Sequence, residues 1–154
     1  MTKWLTQEEQ KSWRAWISAS RLLNEKLSEV LEEKHGLSLS DYEILAWLSE
    51  APDQSIRMTE LAKYSLVSKS RLTHQISRLE EAGFVTRKSC KADGRGSYAA
   101  LTKRGYNKLV KAAPDHVQSV RENLVDVLGP NDFSALGKSS EAISKHLEEN
   151  SRPF

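Results

Sequence analysis

The sequence predicts a mainly α-helical fold with one small β-hairpin, and three observations support this prediction. Over most of the 154 residues, apolar side chains recur at helical spacing and are interrupted by capping residues and glycines. Between Phe84 and Leu101 the pattern changes to two short segments of strand propensity around a glycine-rich turn. Positive charge is concentrated from Arg57 to Arg104, which holds eleven Lys or Arg and four acids, although the whole chain has a net charge of +2. This sorting of charge indicates a surface for a polyanion.

The length suits one domain, 1–154, and the composition suits a soluble, helix-rich protein with a modest core. The chain has no run of about 18 apolar residues, so no membrane span is expected. Its N-terminus lacks the apolar core and cleavage site of a secretory signal. Because Cys90 is its single cysteine, no intrachain disulfide can form, and a reducing compartment is expected. The prediction is a cytoplasmic protein.

Two helices are predicted in the first third of the chain. Residues 6–34 carry apolar side chains at helical spacing, and Gly36 is well placed to end this first helix. The second helix is expected to be capped by Ser40 or Asp41 and to stop near Pro52.

A short third helix, capped by Thr59, and a fourth helix, capped by Ser68 and ended by Gly83, are predicted next. A tight turn joins these two helices, which is typical of a helix-turn-helix. At 100° per residue, one face of the fourth helix is apolar and the opposite face is polar and cationic. The apolar face holds Leu72, Ile76 and Leu79; the opposite face holds Ser70, His74, Ser77 and Arg78, with Lys69, Arg71 and Thr73 on its flanks.

Two further helices are predicted after the hairpin. Thr102 is expected to cap the fifth, and Pro114 is expected to kink or restart it, because proline lacks a backbone donor. Gly129 and Pro130 are expected to open the last helix, since proline suits the first helical position.

The fourth helix and the hairpin together suggest contact with duplex DNA. Arginine and lysine suit guanine, and Gln75 is expected to be able to pair with adenine in a major groove. Arg95 lies between two glycines at the hairpin tip, from which an arginine can enter a minor groove, and Asp93 is positioned to hold its guanidinium. Arg87, Lys88 and Lys91 are expected to face phosphates.

Here the chain resembles the MarR family (multiple antibiotic resistance regulators). The motif DGRGSYAALTKRG follows SRLTHQISRLEEAGFV, and the family's D-x-R wing motif followed by L-T matches Asp93, Arg95, Leu101 and Thr102. The segments LSLSDYEILAWLS and RMTELA match the family's second and third helices. The resemblance covers nearly the whole chain.

The resemblance implies a winged helix-turn-helix embedded in a helical dimerisation frame, and a homodimer that binds palindromic operators in double-stranded DNA. The DNA-binding lobe would be 38–104, and the dimerisation region would be 1–36 and 105–154. By position, the contacts on the recognition helix would be Ser68, Lys69, Ser70, Arg71, Thr73, His74, Gln75 and Arg78, with Arg95 on the wing.

The resemblance also implies a small aromatic or anionic effector that releases the DNA. Aromatic walls and a cation for such a molecule would come from Trp13, Arg14, Trp16, Arg21, Tyr42 and Trp47. Cys90, flanked by Lys88 and Lys91, is a weaker candidate for an oxidant switch, because redox-sensing relatives carry their cysteine in the first helix.

Other functions remain open at this point. The main prediction is a ligand-responsive regulator, most often a repressor in this family, and an effector-independent architectural DNA-binding protein is the first alternative. A winged-helix module that binds an acidic protein is the second. An enzyme is not expected, because no phosphate-binding glycine loop or nucleophile–base motif is present. The four histidines have no ligand partners at short spacing, so neither a metal site nor a cofactor is expected.

Overall fold

The computed structural model describes residues 1–89 and 96–150. The chain forms two compact units, of which the first is Met1–His116 and the second begins at Val117. As predicted, the fold is mainly α-helical with a small antiparallel sheet. Within the described residues, no helix is both long enough and apolar enough to cross a membrane.

Helices and short strands follow one another along these residues. The helices are α1 Gln7–His35, α2 Leu39–Glu50, α3 Met58–Ser65, α4 Lys69–Glu81, α5 Lys103–Val120 and α6 Asp126–Asn150. The strands are β1 Ser55–Arg57, β2 Val85–Ser89 and β3 Ser97–Leu101. A 3-10 turn, Pro52–Gln54, precedes β1, and a π-helical turn, Arg121–Val125, lies between α5 and α6.

Helix α1 confirms the predicted start and end. The Thr6 hydroxyl accepts a hydrogen bond from the Glu9 N–H at 3.2 Å, and the Glu9 carboxylate accepts one from the Thr6 N–H at 2.7 Å. This reciprocal pair satisfies two of the amides that a helix start leaves without partners. Gly36 follows the helix with a φ of 63°. The buried residues of α1 are Leu27 and Leu31, so the helix is anchored in the core only through its second half.

Helices α2 and α3 begin earlier than the sequence predicted. The cap of α2 is neither Ser40 nor Asp41 but Ser38, whose hydroxyl accepts from the Asp41 N–H at 3.1 Å. The earlier start places Asp41 in the first helical turn, where it is buried. Thr59 lies inside α3 rather than at its cap, because β1 runs directly into the helix at Arg57.

The sheet contains one strand that the sequence analysis missed. Strand β1 pairs antiparallel with β3, and β3 also pairs with β2, which gives the order β1-β3-β2. Ile56 of β1 lies opposite Ala99 of β3, and both are buried. Three residues between a proline turn and a helix are too few to show strand alternation. The predicted hairpin is confirmed, with Val85 opposite Leu101.

The core of the first unit confirms the predicted apolar face of the fourth helix. Leu72, Ile76 and Leu79 of α4 are buried in one cluster with residues of α2, α3 and the sheet. Full burial of such a side chain stabilises the fold by about 1.5–3 kcal/mol. Leu31 of α1 and Leu109 of α5 belong to the same cluster, so both long helices are tied to it.

The restart that was one of two predicted outcomes at Pro114 is not observed, and the kink stays a prediction. Helix α5 continues through Pro114, and a π-helical turn follows only at Arg121–Val125. The carbonyl that loses its N–H partner belongs to Val110, which lies on the exposed side of the helix, where water can replace the missing donor. The predicted break at Gly129 is confirmed: its φ of 74° and ψ of 171° interrupt α6, and helical geometry resumes with Pro130.

Candidate nucleic-acid interface

Helices α3 and α4 form the predicted helix-turn-helix. After α3, Leu66 adopts a left-handed conformation with a φ of 52°, which turns the chain sharply. Ser68 then caps α4, as predicted, with its hydroxyl accepting from the Arg71 N–H at 3.3 Å. The predicted end of α4 is also confirmed, since Gly83 follows it with a φ of 78°.

The face of α4 that points away from the core is polar, cationic and exposed. We call it the α4 face, and its exposed members are Ser68, Lys69, Ser70, Arg71, Thr73, His74 and Arg78. The first turn of the helix holds no acidic residue. Cationic side chains of this kind bind phosphates and guanine edges, and hydroxyls bind several base edges. The face therefore presents the donors that a major groove accepts.

Two hydroxyls on the α4 side are oriented by the helix backbone. Thr73 Oγ1 donates to the carbonyl oxygen of Lys69 at 2.8 Å, and Ser77 Oγ donates to the carbonyl oxygen of Thr73 at 2.9 Å. Such bonds to the preceding turn fix the side-chain rotamers. The Thr73 hydroxyl oxygen keeps its lone pairs and can still accept a hydrogen bond, whereas the Ser77 oxygen accepts one from Arg87.

Arg87, which is predicted to contact a phosphate, also makes contacts within the protein. Its guanidinium donates to the Thr73 carbonyl oxygen at 3.0 Å and also to the Ser77 hydroxyl. Its backbone N–H donates to the Glu80 carboxylate at 2.9 Å. Arg87 therefore ties strand β2 to helix α4 through Nη2 and its backbone N–H, while the residue stays exposed. The neighbouring Lys88 is exposed, as a phosphate contact must be.

A buried carboxylate at the start of α2 holds α4 in position. Asp41 Oδ1 accepts from Gln75 Nε2 at 3.0 Å and from Arg78 Nη2 at 3.2 Å. Gln75 Nε2 also lies 2.9 Å from the Ser40 hydroxyl. Because Asp41 lies in the first turn of α2, the helix dipole favours its negative charge. Helices α2 and α4 are thus joined by a polar network inside the lobe.

Gln75 is the predicted contact residue that the structure corrects most clearly. It was predicted to reach DNA, but it is buried and its amide nitrogen is used by Ser40 and Asp41. Position 75 is three residues after Leu72 and four before Leu79, which places it at the edge of the buried face. The helical pattern alone does not show which way such a residue turns, and its partner Asp41 lies 34 residues away along the chain.

The predicted tip of the wing lies outside the described residues. Four residues with predicted roles lie there, between β2 and β3: Cys90, Lys91, Asp93 and Arg95. The roles of these four residues therefore stay predictions.

The structure separates the six predicted effector residues. Three of them, Trp13, Arg14 and Arg21, line an open groove of about 560 Å³ along α1, which we call the α1 groove; Ile17, Ser18, Leu22 and Glu25 complete it. Trp16 is exposed on the same helix but does not line this groove. Tyr42 is buried, and Trp47 lines a different cleft at the end of α2. The α1 groove thus brings together three of the six residues and leaves out Trp16, Tyr42 and Trp47.

Contacts that sequence reasoning missed join the end of α1 to α5. Asp115 Oδ1 lies 2.5 Å from the Lys34 ammonium, and Asp115 Oδ2 lies 2.8 Å from His35 Nε2. These hydrogen bonds, first from Lys34 and then from His35, hold the pKa of Asp115 below its usual value. The adjacent His116 packs on Tyr42 with ring centroids 4.3 Å apart, and burial lowers the pKa of His116. The partners are about 80 residues apart in sequence, so no local pattern indicated them.

This geometry defines a class of protein. A helix-turn-helix whose second helix exposes cations, followed directly by a β-hairpin, is the architecture of winged-helix DNA-binding proteins. Within 1–89 and 96–150, no cluster of three or more potential metal ligands occurs.

Comparisons with known proteins identify the family. A profile described as MarR family matches residues 35–96. The HTH-type transcriptional repressor YetL of Bacillus subtilis (strain 168) is 34% identical over 128 residues, which cover 79% of this chain and 77% of YetL. AbsC, a MarR family transcriptional regulator from Streptomyces coelicolor, is 44% identical with a TM-score of 0.91, over 97% of this chain and 100% of AbsC. The chain belongs to the MarR family.

A second solved structure extends this finding to a complex with DNA. Sco3205, a MarR family transcriptional regulator from Streptomyces coelicolor solved in complex with DNA, is 39% identical with a TM-score of 0.94, over 99% of this chain and 96% of that one. The protein is therefore a transcription regulator with a DNA-binding fold, and not an enzyme.

Proposed function

We propose that the protein is a homodimeric repressor that binds a palindromic operator and leaves it when a small aromatic or anionic effector binds. The observation that carries the proposal is the α4 face, which combines exposed cations with hydroxyls on a helix fixed by the buried Asp41. The similarity to Sco3205, solved in complex with DNA, supports the DNA partner. The similarity to YetL, a repressor by name, supports repression.

Within this proposal the predicted contact residues of the lobe divide into two roles. Lys69, Arg71 and His74 lie on the α4 face and would contact phosphates and base edges in the major groove. Lys88 would contact a phosphate, and Arg95 of the wing would enter the adjacent minor groove. Gln75 is buried against Asp41, and Nη2 of the exposed Arg87 is bonded to α4, so both would position the reading helix rather than read bases.

The direct test of DNA recognition is fluorescence anisotropy of the full chain with two duplexes. One duplex is the DNA upstream of the protein's own gene, and the other is a scrambled duplex of equal length, each titrated at 50 and 200 mM salt. A specific regulator should prefer the upstream DNA by about 10³-fold or more. Equal, salt-sensitive binding to both would favour an architectural protein or a different operator, because phosphate contacts alone carry no sequence information. No binding at either salt concentration would contradict the proposal.

The proposed dimer rests on apolar side chains that remain exposed in each unit. On α1, Trp13 is 54% exposed and Leu22 is 63% exposed. In the second unit, Val127 is 71% exposed, and Ile143 and Leu147 are also exposed. Surfaces of this kind mark protein interfaces, and a two-fold pairing of 1–36 and 105–154 would cover them. The two lobes, 38–104 of each protomer, would then place their recognition helices about 34 Å apart, one turn of the duplex.

Light scattering tests the dimer. The chain has a mass of 17.4 kDa, and twice this mass is expected at micromolar concentration. A particle of 17.4 kDa under these conditions would contradict the dimer.

The α1 groove is the best supported site for the effector. Trp13 offers an aromatic wall, and Arg14 and Arg21 offer positive charge for a carboxylate or phenolate. Because Trp13 and Leu22 belong both to this groove and to the proposed dimer surface, a bound effector would occupy the edge of the dimer contact and change the arrangement of the two recognition helices. A coupling free energy of about 1–3 kcal/mol between effector and DNA is typical of such proteins.

Salicylate serves as a generic aromatic anion to test this site. It should lower the affinity for the preferred duplex in the wild type, and Arg21→Ala should weaken that response. Arg121→Ala is the matched control, because Arg121 is an exposed arginine that does not line the groove. If salicylate acts equally on wild type and Arg21→Ala, the effector site is not this groove.

A further inference from the structure

A second cleft in the first unit has the opposite charge to the α4 face. It has a volume of about 380 Å³ and lies between the end of α2, the Pro52–Gln54 turn, β1 and α3. Its main side chains are two aromatic rings, Trp47 and Tyr64, and two carboxylates, Glu50 and Glu60. We call it the acidic cleft. The function proposed above makes no use of it.

The two rings form an open corner. Their centroids are 6.2 Å apart and the ring planes are inclined by 52°. Trp47 packs with one side against the core, whereas Tyr64 is 50% exposed. The faces of indole and phenol rings carry negative potential, so a corner of two rings attracts a cation within about 6 Å.

The position of Tyr64 is fixed by one of the carboxylates. Its hydroxyl donates to Glu60 Oε1 at 2.7 Å, and this bond raises the pKa of Tyr64, so the phenol stays neutral and keeps its proton. Glu60 in turn keeps its second oxygen available to a ligand, since a carboxylate accepts at both oxygens. The aromatic wall and one negative charge are thus held together in one arrangement.

Other charges around the cleft have the same sign. Glu50 lies in the last turn of α2, where the helix dipole is negative and no basic residue compensates it. Asp53 belongs to the adjoining turn. The basic residues closest in sequence, Arg57 and Lys63, do not line the cleft, and Arg57 Nε instead donates to the Tyr98 hydroxyl at 2.9 Å.

We propose that the acidic cleft is a binding site for a small organic cation, an alkylammonium or quaternary ammonium group, held between Trp47 and Tyr64 and neutralised by Glu50 and Glu60. An anionic effector is disfavoured here, because its charge would meet two carboxylates and the negative end of α2. The site is separate from the α1 groove, and its test requires no DNA.

The four tryptophans provide an internal control for the test. Trp47 lines the cleft, whereas Trp4, Trp13 and Trp16 precede it in or before α1. The experiment is an NMR titration of the ¹⁵N-labelled full chain that follows the indole N–H signals, with the Trp47 signal assigned by Trp47→Phe. The probes are choline, its uncharged carbon isostere 3,3-dimethylbutan-1-ol, and benzoate as an anion.

Choline should shift the Trp47 signal selectively. It should also bind at least about fivefold more tightly than 3,3-dimethylbutan-1-ol, because the two molecules have the same shape and only choline is charged. Benzoate should leave the Trp47 signal unchanged. Equal binding of choline and its isostere, equal shifts of all four indoles, or no shift of Trp47 would each overturn the proposal.

Variants separate the ring and charge contributions. Tyr64→Phe keeps the ring and should keep choline binding, whereas Tyr64→Leu should weaken it. Glu50→Gln and Glu60→Gln should each weaken it by about two- to fivefold. The matched control is Glu81→Gln, since Glu81 is an exposed glutamate that does not line the cleft. An effect of Glu81→Gln as large as that of Glu60→Gln would show that only overall charge matters, and would contradict a defined site.

Discussion

Helix α4 and the first half of α1 both expose one face, but the two faces differ in chemistry. Helix α4 is anchored by Leu72, Ile76 and Leu79, and the side chains that it exposes are cations and hydroxyls. The first half of α1 holds no buried residue, and it exposes large apolar side chains such as Trp13 and Trp16. An exposed polar face on an anchored helix suits a hydrated, charged partner. An exposed apolar face on an unanchored segment requires an apolar partner, and here we propose a second copy of the chain.

The largest expected effect comes from the buried face of α4. Ile76→Ala should lower the free energy of unfolding by about 2–5 kcal/mol, because it removes a fully buried side chain and leaves a cavity. Ser70→Ala, on the exposed face of the same helix, should change it by less than about 0.5 kcal/mol. Urea unfolding of both variants measures the difference. Similar losses in the two would mean that α4 is not anchored as described.

The second prediction concerns the apolar face of α1. The double variant Trp13→Ala, Trp16→Ala should weaken self-association by about tenfold or more, because exposed tryptophans at interfaces carry much of the binding free energy. Sedimentation at several protein concentrations measures this. A control is Lys11→Ala, which removes an exposed polar residue from the same half of the helix. If the double variant and the control associate equally well, this face of α1 does not form the dimer.

The third prediction concerns the connection between α2 and the α4 face. Asp41→Asn removes the charge that Arg78 and Gln75 share, and it should lower the free energy of unfolding by about 1–2 kcal/mol. It should also weaken DNA binding, because Arg78 loses the partner that orients it. Asp53→Asn, at an exposed position, is the control for both measurements. Unchanged stability together with unchanged DNA binding would show that α4 is held by apolar packing alone.

The smallest expected effect concerns the anchored end of α1. Lys34 and His35 hold the pKa of Asp115 below its ordinary value of 3.8, so the carboxylate stabilises the fold above that pH and this contribution is lost as the pH falls through the lowered pKa. Asp115→Asn should therefore be less stable than the wild type at pH 7, and the difference should shrink below about pH 4. Urea unfolding at pH 7, 5 and 3 measures it. A difference that does not change with pH would rule out the ionised pair.

The elements that the sequence predicted well are those set by local chemistry. Ser68 caps α4, as predicted, because a hydroxyl and the N–H three residues later suffice for the bond. The apolar face of α4 was predicted from helical spacing alone. The hairpin was predicted from the change from helical spacing to short segments of strand propensity. The break at Gly129 also required only local information, namely a glycine beside a proline.

The features that the sequence did not predict depend mostly on residues far apart in the chain. Ser38 caps α2 through a local bond to the Asp41 N–H, and only the partners of the Asp41 carboxylate, Gln75 and Arg78, lie far away in the chain. Strand β1 exists through its pairing with β3, more than 40 residues later. The α4 face could thus be predicted residue by residue, except for those side chains whose partners lie in other elements.

Binding of DNA by the α4 face is the central claim of the proposed function. The most direct measurement is the affinity of Lys69→Ala for the duplex that the wild type prefers, followed by fluorescence anisotropy at several salt concentrations. Lys138→Ala is the control, because it removes the same charge from an exposed position of α6. Lys69→Ala should bind more weakly, and the slope of log K against log salt should fall by about 1, because one phosphate contact is lost. Affinity and slope that match those of Lys138→Ala would contradict the account.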